Sequence, residues 1–167
     1  TPEGVQASLL QMVFHALAKD ALFLGAGAII FSTNYLRVDQ LRGIGKRMPV
    51  TMMCFTLAAL SLIGIPPMAG AVSKWYLVSA GLSAPLRGFG IAGLVVLIVS
   101  ALLTAGYLLP IVTNGFFPGK HFIAERKEMG PQMTGPLIAF AAACLLLGLF
   151  PGGLLQWLGQ LAGQLFA

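Results

Sequence analysis

The sequence predicts an all-α membrane protein, a polytopic helical bundle with one discontinuous transmembrane helix broken at about residues 64–70. Three observations carry this. Of 167 residues, 57% are hydrophobic and only 9% are charged, where a soluble domain carries about 25% charged residues. The apolar residues fall into runs of membrane-spanning length, separated by short loops that hold most of the charge. One of those runs is interrupted by Gly64, Pro66, Pro67 and Gly70. The net charge of +5 therefore reads as loop charge that sets orientation, and nucleic acid is not an expected partner. The two cysteines, Cys54 and Cys144, each stand alone in an apolar segment and read as small hydrophobes. No spacing of ligating residues predicts a metal site.

The first span covers about residues 2–34. Thr1-Pro2-Glu3 is a helix start, with Thr as cap, Pro at the first helical position and an acid in the first turn. Inside it, Ser8, Gln11, His15 and Lys19 recur at spacings of three and four, so they share a face. A polar stripe ending in a lysine must face a bundle interior or water. His15 alone would read as a hydrogen-bonded buried histidine; in this stripe it reads as part of a proton or ion path. The loop 36–47 carries Arg37, Arg42, Lys46 and Arg47 against Asp39, which the positive-inside rule assigns to the cytoplasm. The second span, about 49–82, holds the break. A short turn at 83–87 leads to a third span, about 88–113, on which Ser100, Thr104 and Tyr107 share a face. The loop 116–132 is modestly basic and also reads as cytoplasmic. A fourth span, about 134–150, stops at Pro151-Gly152-Gly153. Residues 154–167, with Gln156, Gln160 and Gln164 at helical spacing, form an interfacial helix or the stub of a further segment. The whole reads as a single membrane domain. It begins with neither Met nor a basic region ahead of an apolar core, so it is expected to start within something larger rather than with a signal peptide.

The break is the most informative stretch. Pro66 and Pro67 lack amide donors and clash with a preceding helical turn, and each excludes the residue before it from the α region. The half-span 49–63 rises about 22 Å at 1.5 Å per residue, which puts the break near the middle of a hydrocarbon core about 30 Å thick. Irregular backbone at that depth must be buried in protein or line a wet cavity. Free carbonyls at the end of the first half favour a cation, and Lys74 follows one turn into the second half. Lys74 is therefore placed to change protonation with a nearby charge or with hydration. Discontinuous helices near the midplane are also how transporters build ion sites.

Other motifs carry less. Gly88-Phe-Gly90-Ile-Ala-Gly93 has the letters of a dinucleotide fingerprint, but no strand precedes it, and it reads as close helix packing. Gly43-Ile-Gly45-Lys46 lacks the Ser or Thr of a phosphate loop. The five acids form no catalytic pair and no nucleophile stands beside a base, so no catalytic centre is expected in this chain.

Three stretches occur in order: His15-Ala-Leu-Ala-Lys19-Asp-Ala-Leu-Phe-Leu, Leu41-Arg-Gly-Ile-Gly-Lys-Arg-Met-Pro49, and Gly64-Ile-Pro-Pro-Met-Ala-Gly70-Ala-Val-Ser-Lys74-Trp. With Leu102-Leu-Thr-Ala-Gly-Tyr107 and Gly135-Pro-Leu they resemble the antiporter-like subunits shared by respiratory complex I, Mrp-type cation/proton antiporters and membrane-bound hydrogenases. The resemblance covers most of the chain, and its Ser-Lys-Trp form of the break looks closer to the Mrp-type and hydrogenase-linked members. It implies a bundle of two inverted repeats, each with a broken helix, in which protons pass along a mid-membrane row of lysines, a glutamate and histidines. By that resemblance Lys19 and His15 are the lysine and histidine of a His-Ala-x-x-Lys motif. Lys74 is the ionisable residue after the break. Gln11 stands where some members carry a further histidine, and Ala71 where members usually carry Phe. The chain holds something like the last four crossings of such a subunit, so it reads as a fragment or as one part of a split subunit.

The expected function is part of a proton/cation-translocating subunit of a complex I-related or Mrp-type complex. Buried lysines, Lys19 and Lys74, form its mid-membrane proton relay with His15, and Gln11, Ser100, Thr104 and Tyr107 line its path. The alternatives are a Na+(K+)/H+ antiporter subunit without a redox partner, and a structural subunit that does not conduct. No nicotinamide, flavin or iron–sulfur centre is expected in this chain. The expected partners are lipid, other membrane subunits, H+ and Na+ or K+, in the inner membrane of a bacterium or archaeon.

Overall fold

The computed structural model describes residues 1–84, 87–117 and 127–165. The turn residues 85–86 and, from the second basic loop, Lys120, His121, Glu125 and Arg126 lie outside the described residues. In chain order the elements are α1 (Pro2–Thr33), a 3-10 turn (Val38–Leu41), α2 (Ile44–Arg47), α3 (Pro49–Ile63), α4 (Ala69–Leu82), α5 (Arg87–Phe116), α6 (Pro131–Leu149) and α7 (Gly152–Gln164). The described residues contain no strand. Among the described residues three helices are long and apolar enough to cross a membrane: Pro2–Thr33, Gly88–Phe116 and Pro131–Leu149. The chain is an all-α, multi-pass membrane protein.

Helix α1 is the mast of the bundle. Thr1 caps it, the Gly4 N–H donating to Thr1 Oγ1 at 3.3 Å, and Asn34 ends it in the left-handed region at φ 56°. Three buried clusters lie along its length. Leu10 and Phe14 pack with Ala69 of α4 and Leu158 of α7. Ala21 packs with Cys54 and Ala58 of α3 and with Leu137 and Ala141 of α6. Ala28 and Ile29 pack with Ile44, Met52, Phe55, Ala59 and Leu108. Small residues on the mast let neighbouring backbones approach closely, which is how helices associate without a hydrophobic drive. Both cysteines are buried, Cys54 inside the second cluster.

The run that the sequence reads as one interrupted span is two helices, α3 and α4, joined by Gly64–Met68. Gly64 closes α3 at φ 94°, a conformation glycine adopts without the strain a Cβ brings. Gly70, expected within the break, lies instead in the first turn of α4. Its role is close approach: a Cβ there would run into the Ser61 carbonyl of α3. On the other side, Gly148 of α6 presses against the backbone of Pro67, Met68 and Ala69. The start of α4 is thus held between the backbones of α3 and α6, while Ile65, Pro66 and Pro67 of the break, expected to be buried, are exposed in this chain, because no described helix covers them.

Helix α5 is the least covered, with Phe89, Val96, Leu102 and Leu103 all exposed. An exposed apolar surface of this kind suits lipid tails. Of the three glycines at its start, only Gly90 packs tightly, against the Gly81 carbonyl; Gly88 and Gly93 meet nothing within 4 Å. The described ends of the two basic loops meet α5 and each other at one end of the bundle. Gly43 N–H donates to Asn114 O at 2.9 Å, and Lys127 N–H to Arg47 O at 3.0 Å. Helix α7 lays Leu158 and Ala162 inward and leaves Gln156, Gln160 and Gln164 exposed.

Candidate functional site

The geometry at the end of α3 follows from its backbone. The last carbonyls of a helix have no partner within it. Here the Gly64 and Ile65 amides take Leu60 O, which leaves Leu62 O and Ile63 O free. Lys74, in the second turn of α4, reaches back and donates from Nζ to both, each at 2.6 Å. Its side chain lies across Gly64, where a built Cβ would come within 2.7 Å of Lys74 Cδ. Gly64 therefore serves twice, turning the chain and leaving room for the lysine. An ammonium at the negative end of a helix, bonded to its terminal carbonyls, is a favourable pairing.

Gln11, Phe14 and His15 of α1 meet Ser61, Leu62, Gly70 and Lys74 around one tight cleft, which has no room for a whole water molecule. Ser73, fully buried, extends the polar set. Its Oγ lies 2.6 Å from Gln11 Oε1 and 3.2 Å from Gly70 O, so one proton is shared between two acceptors. Ser61 Oγ accepts from the Gly70 amide at 3.2 Å. A polar chain thus runs Gln11–Ser73–Gly70–Ser61 across α1, α4 and α3 beside the lysine. Ser73→Ala would leave Gln11 Oε1 without its short bond. The expected result is a modest loss of stability, about 1 kcal/mol, measured by thermal melting in detergent.

Gln11, His15 and Lys74, expected as site residues, are brought together. Neither lysine expected to be buried is so: Lys74 is half-buried, and Lys19 is not in the cleft but one turn beyond His15 and exposed, as is Asp20, because no described helix covers that face. Ser100 and Tyr107 are exposed on α5, and Thr104 spends its hydroxyl on Ser100 O at 2.7 Å. None of these three lines the cleft, whose walls come from α1, α3 and α4. A shared face on α5 is a real periodicity, but Ser100 and Tyr107 on it are exposed and Thr104 is half-buried. Sequence reasoning missed Ser61 and Ser73. Ser73, next to Lys74, was the one with a readable signal, since it stands a helical turn after Gly70. The described residues hold no cluster of metal-ligating side chains.

Comparison with known proteins gives the chain its family. Residues 1–104 match the NADH:quinone oxidoreductase/Mrp antiporter transmembrane family. An NADH-quinone oxidoreductase subunit of Desulforudis audaxviator is 39% identical over 88% of this chain and 31% of its own length. A Na(+)/H(+) antiporter subunit of Bacillus subtilis is 30% identical over 98% of this chain and 32% of its own. The chain thus spans about a third of the length of such relatives. Among solved structures, the Mrp complex from Dietzia sp. DQ12-45-1b superposes with a TM-score of 0.88 at 26% identity, over 99% of this chain and 38% of that one. Respiratory complex I from Thermus thermophilus gives 0.66 at 25% identity, over 91% of this chain and 34% of that one. With its family match over the first 104 residues and a bundle that superposes on a Mrp complex, the chain belongs to the NADH:quinone oxidoreductase/Mrp antiporter transmembrane family.

Proposed function

We propose that the chain is part of a proton/cation-translocating, antiporter-like membrane subunit, in which Lys74 is the protonatable group at the break of one interrupted crossing formed by α3 and α4. The observation that carries the reading is the seat of Lys74: an ammonium held by two helix-end carbonyls, with His15 and Gln11 in the same cleft. A lysine in a membrane bundle is costly and marks a pathway unless it serves only packing. Lys19, a turn beyond His15 on an uncovered face, is the second relay group, and that face is where a further segment or subunit completes the path. The basic loops 36–47 and 116–132 lie on the cytoplasmic side, supported by their charge. Any redox chemistry belongs to other subunits. The closer superposition on the Mrp complex favours cation/proton antiport without a redox module as the second reading.

The test is Lys74→Ala in the protein as it occurs in its native membrane complex. Removing the side chain makes room for water, which can take over the two carbonyls, so assembly should survive. Proton or cation translocation in vesicles should fall to background. Unchanged translocation with normal assembly would leave a structural subunit as the answer. Sodium-dependent rescue of a salt-sensitive host by the wild-type protein, lost in the variant, would select the antiport reading.

A further inference from the structure

Helix α3 is held at both ends by charged side chains from other elements. At its N-terminus the cap residue is Met48, which offers no side-chain acceptor. Pro49 has no N–H, and the Met52 N–H donates to Met48 O at 3.0 Å. That leaves the Val50 and Thr51 amides as the free donors of the first turn. Glu128, from the segment before α6, takes both with Oε1, at 2.6 and 3.4 Å, and its Oε2 accepts from the Thr51 hydroxyl at 2.8 Å. Thr51 is fully buried, so this carboxylate satisfies a hydroxyl that water does not reach. At the far end, about 22 Å away at 1.5 Å per residue, Lys74 satisfies Leu62 O and Ile63 O. A carboxylate sits at the positive end of the helix dipole and an ammonium at the negative end. Between them α3 presents Thr51, Met52, Cys54, Phe55, Ala58 and Ser61 to the interior, and its unbroken helical backbone from Pro49 to Ile63 carries a shift at one end to the other.

We infer that Glu128 is a positioning residue for Lys74, acting through α3. Glu128 fixes the axial position of the rod, and so fixes where the two carbonyls stand when the ammonium engages or leaves them. The segment 127–130 and the break are one mechanical unit, with Glu128 as its anchored end and Lys74 as its working end. The inference rests on the proposed role of Lys74 for its functional consequence, and on the two sets of hydrogen bonds for its structural one.

The experiment is a double-mutant cycle with Glu128→Gln and Lys74→Met in the complex extracted from its native membrane, read by thermal melting, together with translocation by Glu128→Gln alone. Sites this far apart normally add. A shared rod predicts otherwise: once one end is released, releasing the other costs little, and the double variant melts no lower than the worse single one. Glu128→Gln should also slow translocation while leaving Lys74 chemically intact, and Glu128→Asp should restore part of it. Strictly additive melting losses would overturn the inference, as would normal translocation in Glu128→Gln. Should Glu128→Gln fail to assemble, Thr51→Val removes one of the three donors within nearly the same shape, and the same cycle applies with it. Unchanged translocation in Lys74→Met would count against the relay and leave the melting cycle still decisive for the rod.

Discussion

Gly70→Ala should be the most damaging single-methyl change in the chain. The added Cβ would occupy the position of the Ser61 carbonyl, which is backbone of α3 and cannot rotate aside. Overpacking against a flexible side chain typically costs about 1–3 kcal/mol; against backbone, about 3 kcal/mol or more is expected. The damage should extend beyond one contact. Gly70 N–H donates to Ser61 Oγ, and Ser73 shares its proton between Gly70 O and Gln11. Pushing α4 away from α3 therefore opens the polar chain and draws Lys74 back from its carbonyls. The measurement is the yield of assembled protein and its melting temperature, beside Gly93→Ala, whose methyl meets nothing within 4 Å. Gly93→Ala should be nearly neutral, because alanine is also the better helix former. Equal tolerance of the two would mean that α3 and α4 are not pressed together as described.

Those two glycines also show how far the sequence could be read. Gly70 and Gly93 look alike in an apolar run, and only the path of the neighbouring backbone separates them. The class of fold was legible because it rests on composition and run length, which no tertiary detail can override. The region of the break was legible because Pro66 and Pro67 act locally. Helical spacing puts Gln11 and His15 on one face, but it does not say that Lys74, on another helix, lies against that face. What could not be read is which face of α5 turns toward the break. Ser100, Thr104 and Tyr107 share a face whichever way the helix is rotated, and in the bundle that face is uncovered. Glu128 was hidden for another reason. It caps a helix that begins more than seventy residues earlier, and no local pattern connects an acid in a basic loop to a proline-started helix with methionine as its cap. Lys19 divides the two cases: its spacing was read correctly, while its surroundings are not among the residues of this chain that line the cleft.

Lys74→Arg should separate holding from conducting. An arginine at this position offers several donors in a planar fork, and two adjacent carbonyls at the end of α3 are acceptors it can satisfy together. The positive charge at the negative end of the helix is kept, so the grip on α3 should survive. What is lost is the ability to release a proton, because a guanidinium stays protonated at any pH a cell presents. The expected result is a variant that assembles, melts somewhat below wild type because the tight cleft must widen for the larger group, and translocates no better than Lys74→Ala. The two variants thus fail for opposite reasons: alanine empties the seat, and arginine fills it permanently. A lysine that served only as a cap would give the reverse pattern, with arginine active and alanine unstable. Melting temperature and translocation rate, measured on the same vesicle preparations of wild type, Lys74→Ala and Lys74→Arg, decide between them. Retained transport in the arginine variant would remove Lys74 from the relay and leave it as the clasp that closes α4 onto α3.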